Sequence, residues 1–106
     1  MPARWHTVLI KFRDETTFIK REEVAAELNV LGAECGGVSK GLLFWIVGKN
    51  LDTRKGYELV LFSMFRSDRD FERYQKHPLH EKFVCGLSEV ADWIVGDVHD
   101  HDYLSI

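Results

Sequence analysis

A tyrosine and two histidines lie close together in the stretch YQKHPLHEKF, residues 74–83. Pro78 suits the first position of a helix, where its missing N–H needs no partner, so we interpret His77 as the structural cap and place His80 in the first turn. Because a helix N-terminus carries partial positive charge, it keeps His80 neutral and able to accept a proton. The Tyr74 hydroxyl can converge on the same space. The pair predicts enolate chemistry without metal or cofactor: a carbonyl is polarised and an α-proton is removed.

Each of these side chains also has a purely structural interpretation. An imidazole in the first turn of a helix often only hydrogen-bonds locally, so His80 need not be a base. Tyr74 can pack with its hydroxyl at the surface. His6 begins a strand on the face that it shares with Val8 and Ile10, where it either lines the same pocket or is a satisfied core histidine. The sequence leaves these alternatives open.

Metal binding is not predicted, although the chain carries some ligand-type residues. In the segment DVHDHD, residues 97–102, alternation puts His99 and His101 on one side of an extended strand, a spacing that can chelate Zn, Cu or Ni. Two ligands do not make a site, and we expect this tail to be solvated. Cys35 and Cys85 lack the spacing of a zinc motif and are interpreted as small buried or half-buried thiols in a reducing compartment.

The elements that must position these residues follow from hydrophobic periodicity. The predicted elements are, in order, a strand at 5–13, a helix at 17–35, strands at 38–49 and 57–65, helical segments at 69–76 and from 77 onward, and a strand at 93–99. This order is the ferredoxin-like βαββαβ arrangement, an α+β fold in which an antiparallel sheet has helices on one face. A length of 106 residues suits a single domain spanning 1–106.

The third predicted strand, 57–65, is apolar on both faces. Helices can cover only one of them, and an antiparallel sheet with a solvent face should alternate cleanly. The surface formed by Val60, Phe62 and Met64 would be an aggregation hazard if it were left exposed. We therefore predict a homodimer in which the sheets of two copies pack back to back.

Composition limits the classes of partner and compartment. The formal net charge is −3 and the basic residues are scattered among acidic ones, which argues against a nucleic-acid surface. No apolar run approaches the ~20 residues that a membrane span needs, and the N-terminus shows no secretory core. These features predict a cytoplasmic protein with no nucleic-acid or membrane partner.

Four segments together resemble the stress-responsive A/B barrel (Dabb) family. They are HTVLIKFRD at 6–14, KGYELVLFSMF at 55–65, YQKHPLHEKF at 74–83 and WIVGD at 93–97. The resemblance covers nearly the whole chain and implies a dimeric α+β barrel. The resemblance specifies the fold more closely than the function, because small barrels of this kind host several chemistries.

The resemblance extends more distantly to a plant polyketide cyclase of this family, olivetolic acid cyclase, which needs no cofactor. That enzyme closes its ring by an aldol step, with a histidine as base and a tyrosine as partner. The matching residues here are His80 and Tyr74, and His6 matches a further cavity histidine on the first strand. The resemblance thus implies His80, Tyr74 and His6 as catalytic residues.

The pocket differs from that cyclase at several positions. Val24, Ala25 and Leu28 stand where the cyclase has aromatic residues along the first helix, and Leu59 replaces a pocket histidine on the third strand. The pocket should therefore have another shape, and the cyclase's substrate is not carried over to this chain.

Two functional hypotheses result. In the first, the protein is a cofactor-free cyclase, isomerase or lyase acting on a carbonyl-bearing hydrophobic small molecule. In the second, it is a non-catalytic dimeric stress-response protein or small-ligand-binding protein. An apolar cavity ending at His80 and Tyr74 would favour the first, and a closed pocket would favour the second. The residues predicted to form the cavity wall are Val8, Ile10, Val24, Leu28, Leu61 and Phe83.

Overall fold

Four antiparallel strands form one sheet in the computed structural model, which describes residues 2–101. The elements are β1 (Ala3–Phe12), α1 (Phe18–Glu34), β2 (Leu42–Lys49), β3 (Leu59–Phe65), α2 (Asp68–Gln75), α3 (Pro78–Ser88) and β4 (Ala91–Asp100). In the sheet the strands lie in the order β2-β3-β1-β4. The predicted α+β, ferredoxin-like order is confirmed, with the second helical region divided at His77.

The helices begin at residues whose side chains cap them. The hydroxyls of Thr17 and Ser67 each accept the backbone N–H three residues later, at the starts of α1 and α2. His77 caps α3 by accepting the N–H of Leu79 on Nδ1 at 3.1 Å, and Pro78 occupies the first helical position. The structural role predicted for His77 is confirmed.

One core lies between the sheet and the helices. Along β1 the alternate residues beginning with His6 point toward the helices and are buried, as predicted. The stripe of α1 formed by Val24, Leu28 and Leu31 packs against that face. Ile10 and Leu61, each 1% exposed, lie at its centre. Because the buried side chains of all three helices join this one core, the helices cover a single face of the sheet.

Two glycines correct the predicted start of the second strand. The segment from Val38 was expected to be extended, but Gly37–Lys40 forms a turn of 3-10 helix and β2 starts only at Leu42. Gly36 and Gly41 flank this turn with φ of 118° and 91°, values that L side chains rarely adopt. The apolar Val38 is consequently exposed rather than paired in the sheet.

The strand ends differ from the prediction by smaller amounts. β3 starts at Leu59 rather than at residue 57, after a loop that contains Gly56 with φ of 80°. β4 is longer than predicted at both ends, because its register with β1 continues from Ala91 to Asp100. Alternation alone cannot show where cross-strand pairing stops.

The sheet face opposite the helices is apolar. Trp5 and Phe44 both pair with Met64, and their rings meet edge to face with centroids 5.6 Å apart. Met64 is therefore only 3% exposed, so within one chain Trp5 and Phe44 already cover it, whereas Phe62 of the same predicted surface is 47% exposed. The outer-face residues that are exposed are Phe44, Ile46, Phe62, Ile94 and Val98.

None of the helices within residues 2–101 combines the length and apolar character needed to cross a bilayer.

Candidate functional site

A cavity of about 220 Å³ lies between the helix-facing side of the sheet and the three helices. Its walls are mostly apolar, and its lining includes the exposed residues Gln75 and Val95, so it opens to the surface. The lining residues are His6, Val8, Ile10, Leu28, Leu31, Leu61, Tyr74, Gln75, His80, Phe83, Val84, Leu87, Trp93 and Val95.

The structure brings nearly all of the predicted site residues to this one cavity. The three candidate catalytic residues line it, and so do the predicted wall residues Val8, Ile10, Leu28, Leu61 and Phe83. Val24 does not line it. It lies about one helical turn before Leu28 and is buried in the core at 3% exposure. The Val24 side chain therefore supports the wall rather than forming it.

Tyr74 and His80 are in direct contact, with ring centroids 4.5 Å apart in an edge-on arrangement. His80 Nδ1 lies 3.1 Å from the carbonyl oxygen of Gln75. A carbonyl can only accept, so Nδ1 carries the proton, and Nε2 of the neutral ring carries the lone pair. That Nε2 has no hydrogen-bond partner among residues 2–101. His80 therefore presents a free basic nitrogen at the cavity.

The neutral form of His80 is favoured chiefly by burial. Removing the half-buried ring from water lowers the pKa of His80, and a positive charge on His6 or His77 would lower it further. The hydrogen bond to Gln75 and the carboxylate of Glu81 oppose this effect. The sequence attributed a neutral His80 to the helix N-terminus, but the main cause in the structure is burial.

Tyr74 is 5% exposed and packs against Phe65 and Trp45, with ring centroids at 5.0 and 5.8 Å. Its hydroxyl has no hydrogen-bond partner among the described residues. Every fully buried side-chain oxygen in that part of the chain has a partner, so the Tyr74 hydroxyl retains some accessible surface. Because Tyr74 lines the cavity, we place that surface there. Burial raises the pKa of Tyr74 well above its ordinary value. Tyr74 is thus a protonated donor.

His6 forms a dyad with an acidic residue that sequence reasoning missed. Its Nδ1 lies 2.7 Å from Oδ1 of Asp97, the residue directly opposite it on β4. The carboxylate accepts, so His6 also holds its proton on Nδ1 and presents Nε2. The ring is 7% exposed and packs against Phe71 at 4.7 Å. Asp97 can be identified as the partner of His6 only once the register between the antiparallel strands β1 and β4 is known.

Arg4 holds Asp97 from the other side. Its Nε and one terminal nitrogen donate to Oδ2 of Asp97 at 3.0 and 2.6 Å, and its guanidinium lies over the Phe71 ring at 4.3 Å. The hydrogen bonds that Arg4 donates to Asp97 raise the pKa of Arg4. The remaining terminal nitrogen contacts Asp68 at 3.3 Å. Asp97 is thus fixed by two donors, and its orientation fixes that of His6.

The predicted tail histidines lie at the outer end of this network. His99 Nε2 lies 2.9 Å from an Asp68 oxygen, and this contact is the main cause of a lowered pKa of Asp68. The rings of His99 and His101 are 6.0 Å apart. Within residues 2–101, no three His, Cys, Asp or Glu side chains are grouped so that they could hold a metal ion. Asp102 of the same tail lies outside the described residues.

Cys35 joins the end of α1 to the start of α3. The buried thiol lies close to the backbone N–H of His80, one of the N–H groups that have no partner within the helix, and this N–H partly offsets the effect of burial on the pKa of Cys35. Burial raises the pKa of the Cys35 thiol. The contact ties the backbone that carries His80 to the neighbouring helix. Both thiols are free, and the predicted burial holds for Cys35 but is wrong for Cys85, which is exposed.

The arrangement can perform acid–base chemistry on a small apolar molecule. One phenol donates, two imidazole nitrogens accept, and the remaining wall is mostly apolar. These are the groups that proton abstraction beside a carbonyl requires.

Several solved structures share the fold. A dimeric ferredoxin-like protein of unknown function from Thermobifida fusca is 20% identical with a TM-score of 0.78, and the match covers 92% of this chain and 91% of that one. A Dabb family protein from Mesorhizobium loti is 16% identical with a TM-score of 0.76 over 92% and 96% of the two chains. Hydroxynitrile lyase from Passiflora edulis is 16% identical with a TM-score of 0.76 over 92% of each. At these identities the likeness shows the fold.

A search of curated proteins found no match. The family model described as the stress responsive A/B barrel domain, in contrast, matches residues 5–100. This range includes every residue that lines the cavity, from His6 to Val95. The resemblance seen in the sequence is therefore confirmed. The chain belongs to the stress-responsive A/B barrel domain family.

Proposed function

We propose that this protein is a cofactor-independent enzyme, a cyclase, isomerase or lyase, that acts on a small carbonyl-bearing hydrophobic compound. The observation that carries the proposal is the meeting of the Tyr74 hydroxyl and the free Nε2 atoms of His80 and His6 at one apolar cavity. A lyase among the structural neighbours supports the reaction class. The cytoplasmic location remains a prediction.

In the proposed reaction, the Tyr74 hydroxyl donates a hydrogen bond to the substrate carbonyl oxygen. In an isomerase or cyclase, Nε2 of His80 removes a proton from the carbon next to the carbonyl. In a lyase, it removes the proton of a hydroxyl group, and a carbon–carbon bond of the substrate then breaks. The electron pair moves onto the carbonyl oxygen, where the Tyr74 hydrogen bond stabilises the negative charge. The imidazolium of His80 then returns the proton. General acid–base catalysis of this kind contributes roughly 10²–10⁴ in rate.

His6 is the second acid–base group of the proposal. Asp97 holds its Nδ1–H, so Nε2 faces the cavity with a defined tautomer, and the carboxylate stabilises the imidazolium that forms if Nε2 takes a proton. This arrangement supports a role for His6 in moving a second proton, as ring closure or isomerisation requires.

The protein is proposed to work as a homodimer. Phe62 is 47% exposed and Ile46 is 51% exposed at neighbouring positions on the outer face of the sheet. Relatives of the same fold are described as dimeric, including the Thermobifida fusca protein. A second copy packed on this face would cover the apolar surface.

The non-catalytic alternative expects a closed space beside His80. The cavity next to His80 and Tyr74 therefore favours an enzyme over a purely architectural barrel.

A general assay tests the proposal without an identified substrate. Small ketones are incubated in D₂O with the protein, and deuterium exchange at the carbon beside the carbonyl is followed by NMR. We expect the wild type to catalyse exchange and both His80→Ala and Tyr74→Phe to lose most of it. His101→Ala, which removes an exposed histidine outside the cavity, is the matched control. Full exchange in both cavity variants would show that the assignment is wrong.

A further inference from the structure

The cavity holds polar groups but no formal charges. Its polar lining residues are His6, Tyr74, Gln75 and His80, and no Lys, Arg, Asp or Glu of the described chain lines it. An anionic ligand would therefore lose its hydration without gaining a cationic partner from the wall. An ionised group that leaves water without such a partner pays a large desolvation penalty.

Neither cavity histidine gives the wall an unbalanced positive charge. Burial favours the neutral form of His80. If His6 takes up a proton, the Asp97 carboxylate at 2.7 Å balances it, so the dyad presents no net charge to the cavity. The Arg4 guanidinium is balanced by Asp97 and Asp68. The charges nearest the His6 end are thus paired with one another, and they leave no free cation for an anionic ligand.

The size of the cavity sets a second limit. Pockets that enclose drug-sized ligands measure about 300–1,000 Å³, and this cavity of about 220 Å³ is smaller. It is larger than an apolar cavity of about 150 Å³ that admits benzene. The space therefore suits one ring, or a chain of similar volume, that carries a short carbonyl group.

We infer that the cavity selects uncharged carbonyl compounds of about the size of acetophenone and rejects carboxylates of the same size. The inference rests on the proposed function only in taking this cavity as the site, and it defines the substrate class of that function. The ligand's carbonyl oxygen accepts from Tyr74, and an acidic C–H or O–H of the ligand faces Nε2 of His80.

Matched probes test this inference by direct binding. Acetophenone and benzoate have the same number of non-hydrogen atoms and the same ring, and they differ in charge. Each is titrated into the protein at neutral pH, and the imidazole signals of His6 and His80 are followed by NMR. We expect acetophenone to bind at least roughly tenfold more tightly than benzoate, since benzoate leaves an unpaired charge in the cavity.

A variant with an added cation sharpens the test. The Gln75 side chain is exposed and borders the cavity, while its backbone carbonyl holds His80, so Gln75→Arg adds a charge without removing that contact. We expect it to restore benzoate binding. Asn29→Arg, which adds the same charge at an exposed position of α1 outside the cavity, should not.

The outcomes separate this inference from the proposed function. The inference would be overturned if benzoate bound as tightly as acetophenone or if neither probe bound. The exchange assay would still test catalysis independently. Selective acetophenone binding without exchange of its methyl protons would support the ligand class and count against the enzyme.

Discussion

His6 donates its Nδ1 proton to Asp97 across the pair of strands β1 and β4, with 2.7 Å between nitrogen and oxygen. Arg4 donates to the other oxygen of the same carboxylate. Because both oxygens are engaged, the carboxylate cannot rotate without losing charge-assisted hydrogen bonds. The sheet register itself therefore fixes which nitrogen of His6 faces the cavity.

The substitution Asp97→Asn should release the His6 ring. The amide has no charge to hold Arg4, and it can turn its NH₂ group toward His6, so we expect a mixture of the two His6 tautomers instead of the Nδ1–H form. Exchange activity should fall, and unfolding should become easier by roughly 1–3 kcal/mol because charged hydrogen bonds are lost. Nitrogen-15 NMR of His6 and urea unfolding measure these effects. An unchanged tautomer would contradict the role assigned to Asp97.

The pH dependence of stability should carry the signature of His80. Its pKa is lowered in the folded state, so as pH falls through about 6.5 the unfolded chain takes up a proton that the folded chain resists. The His80 contribution therefore destabilises the fold on acidification through that range, until the folded pKa is passed. For one proton, the free energy of unfolding changes by at most about 1.4 kcal/mol per pH unit.

The comparison that isolates this contribution is the wild type against His80→Asn, whose amide can still donate to the Gln75 carbonyl. Urea unfolding across the range from neutral to mildly acidic pH should show a shallower loss of stability in the variant. His101→Asn, at an exposed histidine, should keep the wild-type slope. Equal slopes in all three proteins would mean that burial does not hold His80 neutral.

The fold followed from the sequence wherever periodicity was strong. The β1 alternation and the α1 stripe of Val24, Leu28 and Leu31 are properties of single segments, and burial of one face decides them. The start of β2 was wrong because two glycines with positive φ turn a segment whose composition favours a strand. Local backbone conformation overrode β propensity there.

The site was harder to predict where it depends on contacts between segments. His80 and Tyr74 are close in sequence, so the helix break at Pro78 already suggested that they meet. Asp97 lies ninety-one positions from His6, and only the register of β1 with β4 brings the two together. Val24 shares the apolar stripe of Leu28, but the periodicity of α1 does not show where along the helix the cavity ends.

Tyr74→Phe should separate stability from function. The hydroxyl has no hydrogen-bond partner among the described residues, so its loss should change the free energy of unfolding by less than about 1 kcal/mol. Carbonyl exchange, which relies on that donor, should fall strongly. Tyr57→Phe, at a half-buried tyrosine outside the cavity, should change neither. A stability loss of several kcal/mol in Tyr74→Phe would instead favour a structural role for the hydroxyl.

Charge placed on the outer sheet face should disrupt the proposed homodimer. Phe62 lies on the central strand β3, beside Ile46 of β2 and Thr7 of β1, so Phe62→Lys would bury an unpaired ammonium if a second sheet packs there. A penalty of about 2 kcal/mol or more would weaken the dimer at least tenfold. Analytical ultracentrifugation at micromolar concentration should show a dimer for the wild type and a monomer for Phe62→Lys. Val30→Lys, on an exposed part of α1, should remain dimeric. A wild type that sediments as a single subunit would rule out this assembly.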